Sequence, residues 1–161
     1  MAVAHGEHVV HFYEHEAELI ASVCPHLEAA LRDGEVSAAF PADADSPGHA
    51  RRMAAATLRR WGHGEALIAD VSLVVSELAS NAVRHAGSAF SVALQMEGPL
   101  LRVTVEDRAP LPDTACDADM LPQPPHGLCV VDSLATSWGI EPTRTGKIVW
   151  AQLTCAAPLE P

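Results

Sequence analysis

Just before Gly87 the chain runs with a helical period, and just after it the period is two. Through "EALIADVSLVVSELASNAVRHA" (Glu65 to Ala86) the apolar residues Val71, Val75, Leu78 and Ala82 fall on one arc of a helix. Gly87 is placed to take the left-handed conformation that ends it. The next two runs, "FSVALQME" and "LLRVTVED", flank Gly98-Pro99. Leu101, Val103 and Val105 alternate there with Arg102, Thr104 and Glu106, the pattern of a hairpin with one buried face. A long helix with one apolar arc and a hairpin with one apolar face must cover each other. The fold class that follows is α+β, a two-layer sandwich with helices packed on a mostly antiparallel sheet.

The remaining segments extend this plan. "EVSAAFP" has strand composition and stops at Pro41. "ADADSPGHARR" opens a helix with Ser46 expected as N-cap and Pro47 at the first helical position, and Gly62 ends it after Met53, Leu58 and Trp61. Residues 108–125 are rich in Pro and Asp without any period, which predicts a long loop. A helix over about Gly127 to Ala135 follows. "TSWGIEP" and "KIVWAQL" then form a second hairpin around Thr143 to Gly146, with Trp138 and Trp150 expected as its core anchors. Before all this, "EHVVHFY" reads as a strand, and Glu16 to Arg32 as a helix stopped by Gly34. The expected division is a strand–helix extension over 1–35, a main domain over 36–155 and a tail over 156–161.

With 161 residues, 48% of them hydrophobic, the chain suits one domain with a real core. The net charge is −11 and only ten residues are basic, without a cluster, which argues against direct nucleic-acid binding. No basic n-region precedes an apolar stretch, so no signal peptide is expected. Asp70 and Glu77 interrupt the longest apolar region, so no membrane span is expected. Cys24, Cys116, Cys129 and Cys155 are far apart and read as cytoplasmic thiols. His5, His8, His11 and His15 would be split between two faces of a strand, which favours exposed histidines over a metal site.

The long helix carries one anomaly. Glu77, Asn81 and His85 are spaced by four and share a face, with Arg84 beside them. The plain reading is structural: Glu77 pairs with Arg84 at the edge of the core. The functional reading is that a carboxylate and an amide oxygen suit a hard divalent cation that carries phosphates.

"SELASNAVRHA" resembles the N-box of the GHKL-type ATPases, and specifically of the bacterial anti-sigma factor serine/threonine kinases. The resemblance implies Glu77 as the general base, Asn81 as the Mg2+ ligand, and Arg84 and His85 on the phosphate and sugar side. "VTVEDRAP" is similar to the strand whose last Asp reads adenine, which implies that role for Asp107 and a preference for ATP over GTP. Asp107→Asn is then expected to remove the preference without unfolding the chain. "HGLCVVDSLATSWGI" resembles the second glycine box, implicating His126, Gly127 and Leu128. "GKIVW" resembles the closing strand, implicating Gly146 and Lys147.

The pattern is not followed throughout. Ala109 stands where Gly is common, Pro125-His126 replaces the first part of Gly-x-Gly-Leu, and Ile148 stands where a Thr is frequent. Proline removes one backbone N–H from the phosphate cradle. No H-x-x-x-C-x-x-C run supports the zinc-binding type. "HVVHFYEHEAELIASVCPHLEAALRDGE" is similar to the opening of a MEDS-type sensory domain, and two readings are open for it: packing on the sheet, which is favoured, or a small interaction element for a partner or second subunit.

The resemblance implies an ATP-dependent serine/threonine protein kinase of the cytoplasm, with ATP and Mg2+ as cofactors. Its partner would be a STAS-type anti-sigma antagonist, a sigma factor or both, and a homodimer is common among such proteins. The alternative is a catalytically weak or inactive nucleotide-binding module acting by protein binding alone. A detached histidine-kinase ATPase half is disfavoured, because no phosphoacceptor helix pair is present.

Overall fold

The computed structural model describes residues 34–110 and 126–155. Its elements are β1 (Glu35–Phe40), α1 (Ser46–Arg60), α2 (Glu65–Ala86), β2 (Phe90–Glu97), β3 (Leu100–Asp107), α3 (His126–Leu134), β4 (Ser137–Pro142) and β5 (Lys147–Thr154). All pairings are antiparallel, in the order β1-β2-β3-β5-β4. The α+β sandwich expected from the change of period is the fold observed. The N-terminal strand–helix and its histidines, the acidic part of the long loop and the C-terminal tail lie outside the described residues.

Period-two alternation decides which side of the sheet is dry. Phe90, Val92 and Leu94 of β2 and Leu101, Val103 and Val105 of β3 are buried, as are Val149, Ala151 and Leu153 of β5. They meet Val71, Val75, Leu78 and Ala82 of α2, all buried as their spacing requires, together with Met53 and Leu58 of α1 and Val131 of α3. Phe40 and Phe90 close one end of this core, stacked with ring centroids 5.6 Å apart. By length and composition α2 could cross a membrane. Its apolar arc is instead covered by the sheet, with seven residues in the core.

Two local expectations need correction. Ser46 is the first residue of α1 and not its cap. The N-cap is Asp45, which makes no side-chain cap bond. Asp43 serves the helix start instead, its Oδ1 accepting the backbone N–H groups of Asp45 at 3.1 Å and Ser46 at 2.8 Å. Burial opposes ionisation of Asp43, but hydrogen bonds from Ser46 and Asp45 and the charge of His49 outweigh it and hold the carboxyl below its usual range. The hydroxyl of Ser46 is buried without a partner among the described residues.

The second correction concerns the tryptophans. Trp138 packs against the core and donates its indole N–H to Asp132 at 2.8 Å. Trp150 lies between the core-facing Val149 and Ala151, so its ring stands on the opposite, open face of the sheet. The Arg102 guanidinium sits 4.5 Å above that ring and reaches Glu141 at 3.5 Å. Gly139, opposite Trp150 in the register, lies beneath the indole. A Cβ at this position would be 2.8 Å from Cζ2 of the ring. Gly139→Ala is therefore expected to lose about 1–3 kcal/mol in urea unfolding through overpacking. A loss under about 0.5 kcal/mol would mean that the ring moves aside freely.

Candidate functional site

The buried pair Leu78 and Ala82 fixes the rotation of α2 and thereby the places of its polar residues. Glu77 and Asn81 are half-buried, whereas Arg84 and His85 are exposed. Arg84 donates from Nη2 to Oδ1 of Asn81 at 2.9 Å and from Nε to the Ser80 carbonyl at 3.3 Å. The expected structural pairing of Glu77 with Arg84 is thus not the one formed. Among the described residues Glu77 has no hydrogen bond or ion pair, so the structural reading has no contact to support it.

Asp107 closes β3 and is only 4% exposed. Its Oδ1 accepts the backbone N–H of Ala109 and the ammonium of Lys147, both at 2.8 Å. The β3–β5 register sets Lys147 directly opposite Asp107. The N–H of Ala109 caps the carboxylate where the family pattern commonly has glycine. Ile148 belongs with Trp150 on the open face, so the polar side chain that β5 offers beside Asp107 is Lys147.

Gly146 makes this approach feasible. An added Cβ would fall 1.9 Å from the Asp107 carbonyl oxygen and 2.6 Å from Cα of Arg108. Both obstacles are backbone and cannot swing away. Gly146→Ala is expected to push the β4–β5 turn off the end of β3 and to cost at least about 3 kcal/mol, the upper range for overpacking. Thermal unfolding checks this, and a variant that melts within 2 °C of the parent contradicts it.

The other predicted positions divide. His126 and Gly127 open α3, at a helix end where backbone N–H groups lack intrahelical partners. The Leu128 side chain is in the core, which leaves only its backbone for a ligand. A cavity of about 210 Å³ at the end of β2 and β3 is lined by Phe90, Ser91, Glu106, Asp107, Arg108 and Thr145 among others. It shares only Asp107 with the predicted carboxylate and amide residues, and it is smaller than ordinary ligand pockets.

Among the described residues no three His, Cys, Asp or Glu side chains form a metal cluster. Mg2+ that arrives with phosphates asks for less, since one or two protein oxygens beside phosphate and water complete its shell. The Asn81 amide oxygen fits that demand, because it already holds a cationic group.

Residues 40–153 match the model of the histidine kinase-like ATPase domain. The chain belongs to this family. Its fold is also similar to a crystal structure of the RsbU and RsbW domains of Rv1364c from Mycobacterium tuberculosis, with a TM-score of 0.61 and 20% identity over 77% of this chain. The match spans 32% of the length of that crystallised chain. No curated protein matches by sequence. In this ATPase domain the predicted set forms two cation-held oxygens, Asn81 with Arg84 and Asp107 with Lys147. Sequence reasoning missed both pairings.

Proposed function

We propose that this chain is an ATP-binding regulatory kinase whose main domain, 36–155, phosphorylates a seryl or threonyl hydroxyl on a STAS-type antagonist protein. The observation that carries the reading is Glu77: a half-buried carboxylate, without a partner among the described residues, one turn before Asn81 in an ATPase-family domain. A carboxylate so placed is available to take a proton from an attacking hydroxyl. Asp107 accepts the exocyclic amine of adenine, a donor that guanine lacks at that position. Asn81 would hold Mg2+, which neutralises phosphate charge when bound. Arg84 and His85, exposed on the last turn of α2, provide donors to phosphate or sugar oxygens.

Sequestration of a sigma factor without phosphotransfer is the second reading. Pro125, immediately before α3, favours it because that helix start has one backbone donor fewer for phosphate.

The test of the nucleotide site is thermal unfolding with ligand. ATP with Mg2+ at one hundred times its Kd should add about 2.7 kcal/mol. GTP should add far less. Equal shifts with both nucleotides, or none with either, would refute the site.

A further inference from the structure

We propose that Lys147 is a base-reading residue, donating from its ammonium to N1 of adenine while Asp107 accepts the amine on C6. The proposal rests on the nucleotide-site reading and assigns a second contact within it. Lys147 is the single lysine of the chain, and its side chain is only 14% exposed. It is held by the Asp107 carboxylate at 2.8 Å, in direct cross-strand register. An ammonium has three donors, and among the described residues only one of these is used. On the carboxylate, Oδ1 takes both the Lys147 and Ala109 donors, and no described residue donates to Oδ2. The pair thus presents one acceptor and one donor side by side.

Adenine offers the complement, an amine hydrogen beside the unprotonated N1. Guanine in the same pose offers the reverse, with O6 against the carboxylate and N1–H against the ammonium. Both contacts would then be repulsive, so Lys147 adds to discrimination that Asp107 alone would supply. The ammonium is already fixed by β5 and by the close passage of Gly146, so it is oriented before the base arrives.

Isothermal titration of the full chain with ATP and with 1-deaza-ATP, which keeps the amine and lacks N1, tests the assignment. The parent protein should bind 1-deaza-ATP at least tenfold more weakly than ATP. Lys147→Met should bind ATP about tenfold more weakly than the parent and should treat the two nucleotides alike. If the parent binds both within twofold, the Lys147 contact is refuted while the nucleotide site stands. A Lys147→Met protein that weakens on both yet keeps the tenfold discrimination would make Lys147 a structural partner of Asp107 and overturn the proposal. A parent that binds no ATP removes the site reading and this proposal with it. Should Lys147→Met fail to fold, the two titrations on the parent decide alone.

Discussion

Glu77→Gln is expected to melt near the parent temperature, to bind ATP as the parent does, and to lose phosphotransfer by roughly 10²–10⁴-fold. The glutamine keeps the shape and hydrogen-bonding reach of the side chain but cannot take a proton. Stability should change little, because Glu77 has no hydrogen bond or ion pair among the described residues to forfeit. Radiolabelled ATP with a STAS-type antagonist encoded nearby reads the transfer, alongside a pull-down of a sigma factor. An undiminished rate in the variant would remove Glu77 from the chemistry. A parent that captures a sigma factor and transfers no label would end the kinase reading and leave the sequestering module.

Asp107→Asn is expected to destabilise the domain by about 3 kcal/mol, even before any nucleotide is added. Removing one partner of a buried ion pair leaves the other charge uncompensated, which costs about 3–5 kcal/mol. The lower end applies because the amide oxygen can still accept from Lys147 and Ala109. At roughly 2–4 °C per kcal/mol for a chain of this size, the melting temperature should fall by roughly 6–12 °C. The double variant Asp107→Asn, Lys147→Met should recover part of this, since it leaves no stranded ammonium. A single variant that melts within 2 °C of the parent would mean that the pair contributes little. A loss of this size leaves the chain folded, so it adds a stability cost to the expectation that the substitution removes the base preference without unfolding the chain. The ion pair makes base recognition and local stability depend on the same carboxylate.

The pairing of Glu77 with Arg84 fails for a reason available from helix geometry. Seven residues at 1.5 Å each separate their backbones by about 10.5 Å along the axis. Asn81 is only three residues from Arg84 and lies on the neighbouring turn, so the guanidinium is satisfied there first. The capping error is similar in kind. Ser46 has the right composition for an N-cap, but the helix begins one residue earlier than that reading needs: Asp45 is the N-cap, and the Asp43 carboxylate accepts the N–H groups of Asp45 and Ser46.

Much of the architecture was determined by local pattern. The arc of Val71, Val75, Leu78 and Ala82, the left-handed Gly87 and the turn at Gly98 depend on neighbours within a few residues, and each is found as its spacing requires. The resemblance carried by the Glu77–Asn81 spacing likewise led to the ATPase family. What tertiary structure alone decided involves strands that are not consecutive. β5 offers an apolar or aromatic residue on both faces, Val149 and Ala151 on one and Ile148 and Trp150 on the other, so alternation cannot say which face is dry. Only the placement of α1, α2 and α3 settles that, and it sends Trp150 to the open side. Asp107 and Lys147 are 40 residues apart, and nothing in either segment specifies the register that sets them opposite. Gly146 has no positive φ to betray it. It must be glycine because the backbone of β3, distant in the chain, passes where its side chain would be. Contacts of this kind come from the order of strands in the sheet, which depends on how the whole core closes rather than on any one stretch of residues.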